Sequence, residues 1–159
     1  MEKLLLALLF LHLPTSPAYQ TYKQYCNARF SFCVEYPANF KAQAPPANGD
    51  GLSWLSEDKK TKIRAYAGLA IEGFEQLNQE FTAATKHIKL SYKTIKKDWF
   101  IFSGLNSNNK IVYRKTRKTS INYLGQPATP VFQTLMIEYP AGQAKLYKSY
   151  CQQIANSLQ

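Results

Sequence analysis

Histidine is almost missing from this chain. Only His12 and His87 occur in 159 residues, and His12 lies in an N-terminal apolar run. One remaining imidazole and three cysteines are a poor source of zinc ligands, because a structural zinc site takes about four His or Cys donors. A Ser–His–Asp relay would have to use His87, and the sequence contains no G-x-S-x-G, the strained turn that presents such a serine. An outward-facing strand position accounts for His87 more simply. Acids are scarce as well, ten Asp and Glu against 20 Lys and Arg, for a formal charge of +10. A paired-carboxylate site for glycoside cleavage would have to draw on the few acids beyond Glu2, most of them in polar turns or helix starts. No run of apolar residues reaches the roughly 20 that a membrane-crossing helix needs. On these grounds no catalytic, cofactor-binding or metal-binding residue is expected. What the chain does have is 45% apolar and 14% aromatic residues, enough to build a packed core and too much for a disordered segment.

The chain opens MEKLLLALLFLHLPTSPAYQ. Lys3 and the amino terminus give a positive start, and Leu4 to Leu13 is nearly all apolar. Pro14 breaks the run, and Ser16 and Ala18 stand at the −3 and −1 positions of a cut after Ala18. This is the layout of a secretory signal peptide. Ten apolar residues at 1.5 Å rise make about 15 Å of helix, half of a roughly 30 Å hydrocarbon core, which argues against a membrane anchor. Residues 1–18 are therefore read as a leader, and Tyr19–Gln159 as one domain. No cysteine follows the apolar run, so neither a lipid anchor nor a stable membrane span is expected after cleavage. The protein is expected to be periplasmic or secreted. There its positive charge would attract acidic proteins or anionic envelope polymers; nucleic acid is not an expected partner.

Export leads to an oxidising compartment, so three cysteines suggest one disulfide and one free thiol. Cys26 and Cys33 lie in YCNARFSFC, where Asn27-Ala28-Arg29 can turn the chain back. Cys26–Cys33 is the favoured pairing and Cys26–Cys151 the next. Cys151 falls on the apolar stripe of a C-terminal helix, where a thiol behaves as a small hydrophobe.

Hydrophobic periodicity then divides the chain. Phe30, Phe32, Val34 and Tyr36 alternate with polar residues, the mark of a half-buried strand, and Pro37 ends it. Residues 38–51 read as a loop. Strands over Gly51–Glu57 and Thr61–Ala67 flank the polar turn Glu57–Lys60, with Trp54 inward beside Ile63 and Ala65. The period changes over 72–86, where Phe74, Leu77, Phe81 and Ala84 share one helical face. Alternation returns over 87–93, followed by strands at Asp98–Ser103, Lys110–Thr119 and Pro130–Tyr139. The last segment, Gln143–Leu158, is helical, with Tyr147, Cys151, Ile154 and Leu158 on one stripe. These elements make an α+β protein, a largely antiparallel sheet covered by two helices.

Two stretches invite chemistry. In PPANGDGLSWLS, Asn48-Gly49-Asp50-Gly51 looks at first like a calcium loop or phosphate cradle. Asp50 is the only carboxylate between Tyr36 and Glu57, too few for a calcium shell. The glycines lead into a strand, not into a helix N-terminus. A turn is the reading that remains. The second stretch, KIVYRKTRKT, packs Lys110, Arg114, Lys115, Arg117 and Lys118 into ten residues, with Lys89 and Lys93 nearby in sequence. It is the strongest interaction signal, a docking face for an anionic partner. Edge strands also carry lysine to block pairing with other chains, so an edge position competes with that reading.

The succession YCNARFSFCVEYPANF, NGDGLSWLSEDKKTKIRAYAG, DWFIFSG, IVYRK and a final IEYP before a helix resembles a group of small, uncharacterised exported proteins of Gram-negative bacteria. More distantly it is similar to the PsbP-like α/β/α sandwich, also found in periplasmic DcrB-like proteins. The resemblance implies a non-catalytic binding or assembly subunit; export and the basic face make an immunity-type inhibitor one version of such a module. It carries no catalytic motif, and the lipobox cysteine of lipoprotein members is absent here. The competing expectation is a cell-envelope hydrolase with a carboxylate-based site.

Overall fold

A computed structural model describes residues 21–71 and 75–159. The expected leader lies outside the described residues, as do Glu72 and Phe74 of the expected first helix. The described chain begins with β1 (Tyr22–Asn27) and β2 (Phe32–Pro37), an antiparallel hairpin that forms a small sheet of its own. Cys26 and Cys33 face each other across this pair and form the disulfide. Sequence periodicity does not reveal β1, because its Lys and Gln positions are exposed and its tyrosines are only partly buried. Phe30, expected in the following strand, belongs to the turn before it; Ser31 takes a left-handed φ of 49° there, and Phe30 is still buried.

Among the described residues the main sheet has seven antiparallel strands. They are β3 (Lys41–Ala42), β4 (Gly51–Leu55), β5 (Lys62–Leu69), β6 (Lys89–Ile95), β7 (Trp99–Leu105), β8 (Lys110–Tyr123) and β9 (Gln126–Pro140). Their spatial order is β3-β4-β5-β9-β8-β7-β6. Between β5 and β6 the chain forms α1 (Leu77–Thr85). A short 3-10 turn after β9 leads into α2 (Ala144–Ser157). Helix α1 starts later than the pattern predicts, at a Gln76–Gln79 capping arrangement in which the Gln76 N–H donates to Gln79 Oε1 at 3.0 Å. Helix α2 buries Tyr147, Cys151 and Ile154, and Leu158 just beyond it, as the periodicity predicts.

The sheet separates two cores. On one side, α2 and the β1–β2 hairpin cover Trp54, Ile63, Ala65, Leu135 and Ile137. Trp54 pairs with Ile63 in register and stacks on Tyr36 at 4.6 Å between ring centroids. On the other side, Leu77 and Phe81 of α1 pack on Phe100, Phe102, Phe132 and Met136. Helix on one face and helix plus hairpin on the other make an α/β/α sandwich. Strands β8 and β9 run on past the body of the sheet as a long hairpin, closed by Leu124-Gly125 with φ of 51° and 83°. Positive φ at both turn positions gives the two-residue connection whose twist matches that of paired strands.

Candidate functional site

The basic strand is interior. Strand β8 lies between β9 and β7, two strands in from the β6 edge, so its charges are divided between the two faces. Arg114 is only 8% exposed on the α1 face. Its Nε donates to Thr116 Oγ1 at 2.9 Å, Thr116 and Thr134 share a hydroxyl contact at 2.9 Å, and Nη2 forms an ion pair with Glu80 of α1. Lys115 points to the opposite face, where Nζ donates to the Ala155 carbonyl near the end of α2 at 2.8 Å. A cation suits that position, because the last carbonyls of a helix lack partners within it. Burial, and then neighbouring Arg117, lower the Lys115 pKa. Arg117 Nε donates to Gln133 Oε1 at 2.6 Å, and Gln133 Nε2 donates in turn to the Phe30 carbonyl at 2.7 Å. Lys110 pairs with Glu138 at 3.3 Å. Lys118 sits opposite Phe132, and its backbone N–H donates to the Asp98 carbonyl.

The seven expected docking residues therefore do not form one face. Arg114 and Lys115 hold the two outer layers to the sheet. Lys89 and Lys93 lie on β6, which among the described residues pairs only with β7 and is exposed along almost its whole length. Leu90, Tyr92 and Ile95 on the same strand are exposed as well. Lys96 and Lys97 follow in the β6–β7 turn, and Asp98 beside them is bonded to Lys118. Lys89, Lys93, Lys96 and Lys97 are exposed along this sheet edge and turn, while other exposed cations, among them Lys23, Lys41, Lys59, Lys60, Lys145 and Lys148, are spread over the rest of the surface.

A groove of about 490 Å³ runs between α2 and the β6–β7 side of the sheet, lined by Tyr92, Ile101, Tyr113, Tyr139 and Cys151 among others. Three of these groups, Tyr113, Tyr139 and Cys151, have raised pKa values. Burial pushes Tyr113 up to about 12, with Cys151 and Tyr92 adding to the shift. Burial also raises Tyr139. The Cys151 thiol is pushed up to about 12 by burial, against the smaller opposing effect of its bond to Tyr139 Oη at 3.9 Å. At neutral pH Cys151 is a protonated thiol, the opposite of an activated nucleophile.

The carboxylates are dispersed. Among the described residues no group of three or more His, Cys, Asp or Glu is placed to hold a metal. Glu57 and Asp58 line one depression together, as adjacent members of a turn. The Ser56 hydroxyl, 2.6 Å from Asp58, holds its carboxyl below the usual range, helped by the Lys60 N–H. The Asn48–Gly51 stretch is a turn: Gly49 has φ 63° and donates to the Pro46 carbonyl, and Asn48 Nδ2 donates to Asp50 Oδ2 at 2.8 Å. Lys62 and Arg64, which are not among the expected docking residues, line a pocket beside that turn. The signal lay in KIRAYA: once Ile63 and Ala65 are assigned inward, the alternation puts Lys62, Arg64 and Tyr66 together on the other face.

The architecture is that of the PsbP-like sandwich. The solution structure of cyanobacterial PsbP (CyanoP) from Synechocystis sp. PCC 6803 matches it with a TM-score of 0.59, covering 92% of this chain and 98% of that chain at 9% sequence identity. At that identity the likeness establishes the fold alone. No protein family and no curated relative matches the sequence.

Proposed function

We propose that the protein is an exported, non-catalytic binding module that docks an acidic polypeptide along the β6 edge. One observation carries the reading: an open edge strand on which Lys89 and Lys93 accompany exposed Leu90, Tyr92 and Ile95, with Lys96 and Lys97 at its end. An extended segment added to such an edge takes up its free backbone groups, and its side chains meet those of the strand. The lysines and the irregularity between Leu90 and Tyr92 discourage pairing with a second copy, and a chain of +10 charge repels itself while attracting an acidic partner. The Cys26–Cys33 disulfide and the N-terminal leader pattern support an oxidising compartment outside the cytosol.

The test uses immobilised poly-glutamate as the acidic probe and a neutral, polar peptide matrix as control. The protein should be retained on the first at low salt and released as salt rises, since screening shortens the Debye length to about 8 Å near physiological ionic strength. Replacing Lys93, Lys96 and Lys97 with Glu should abolish retention. Equal retention of that variant, or retention by an anionic polysaccharide with none by poly-glutamate, would overturn the reading.

A further inference from the structure

The loop before β4 and the adjoining surface of β4 and β5 enclose a pocket of about 430 Å³. Strand alternation builds it. Ile63 and Ala65 turn into the α2-side core, which leaves Lys62, Arg64 and Tyr66 on the other face, and Ser53 joins them as the cross-strand partner of Arg64. Helix α1 covers the neighbouring part of this face, over Phe100, Phe102, Phe132 and Met136, and Arg114, its partner through Glu80, lies 5.9 Å over the Tyr66 ring at the edge of the pocket. Gly51, opposite Tyr66, keeps the strands close, since a Cβ there would meet the Ala65 carbonyl at 2.1 Å.

Arg64 has unused hydrogen-bonding capacity. Its Nε–H is buried with no acceptor. Its Nη2 reaches the Met136 sulfur at 3.6 Å, a weak acceptor. Neither Lys62 nor Arg64 forms an ion pair among the described residues. A cationic donor withdrawn from water and left without an acceptor is uncommon in native proteins, and the guanidinium that carries it lines the pocket with no carboxylate paired to it among the described residues.

We propose that this pocket binds a carboxylate, held by Arg64 and Lys62. The lining carries Lys62 and Arg64 against one acid, Asp50, a surplus of a single positive charge. A carboxylate monoanion balances that surplus, whereas a phosphate dianion exceeds it and meets Asp50. The planar guanidinium matches the two oxygens of a carboxylate. Leu52, Pro46 and Tyr66 offer apolar surface to the body of the ligand, and the volume falls within the range of small-molecule sites. The ligand is a small organic acid or the free C-terminal carboxylate of a peptide. The site is separate from the β6 edge and stands whether or not that edge docks a partner.

Nuclear magnetic resonance titration of the full chain with its disulfide intact tests the assignment. The probes are N-acetylphenylalanine as the small acid, acetyl-Gly-Gly-Phe as the peptide end, the amide of each, and inorganic phosphate. At least one acid should give saturable shifts at the Gly51 and Ser53 amides and the Arg64 Nε–H; the tighter of the two names the source. The amides should give none. Arg64→Gln should weaken binding about tenfold or more. Lys62→Gln, a change at a surface position, should weaken it several-fold and serves if the first variant does not fold. Lys93→Glu should leave it unchanged. Equal binding of acid and amide, tighter binding of phosphate, no saturable shift at these positions, or full affinity in Lys62→Gln would overturn the proposal.

Discussion

Cys151 shows how far a single residue's surroundings decide its chemistry. It is 4% exposed, between α2 and the sheet, and bonded to Tyr139. The ordinary thiol value of 9.0 rises to about 12 in the fold, and Tyr113 beside it rises from 10.0 to about 12. Below about pH 9 both groups are protonated whether the chain is folded or not, and they add no pH dependence. Above it the unfolded chain releases these protons first. Stability is therefore present below pH 9 and falls as pH rises toward about 12. Urea unfolding at pH 8 and pH 10 should show this loss, and a Cys151→Ala variant should lose less. In the same pH range iodoacetamide should label Cys151 only after denaturation.

At the scale of elements, Arg114 is the polar tie between α1 and the sheet. Replacing it with Met keeps volume but strands Glu80 and removes the donor to Thr116 and Thr134. The expected loss is about 2–4 kcal/mol, because one partner of a largely buried pair stays behind. Glu80→Gln keeps an acceptor and should cost about 1 kcal/mol. Chemical denaturation of the two variants checks the difference. Periodicity made α2, the β4–β5 hairpin and the apolar rows of β7 and β9 legible, because each buries one face and alternation records it. Strand β1 was not legible, since the disulfide and the buried faces of β2 hold it in place more than its own residues do. The β8–β9 turn was hidden for a related reason: Leu124, 82% exposed, adopts a left-handed conformation that Asn or Gly signals and Leu does not. The basic run was visible, but its position inside the sheet was not. Order within a sheet depends on which strands pair at long range, and local composition does not encode that.

For the whole molecule, the sheet is two meanders, β3-β4-β5 and β6-β7-β8-β9, joined along β5 and β9. The central strand is thus the last strand in the chain, and it ends at Pro140. A chain emerging from its amino end has β4 on one side of Ile63, Ala65 and Ala67 early, but no strand to pair on the other side until nearly everything has appeared. A version stopped at Gly125 should give no cooperative unfolding transition, where the complete chain gives one. Until its final stretch arrives, the two halves of the sheet have no seam between them, and the polypeptide stays slack.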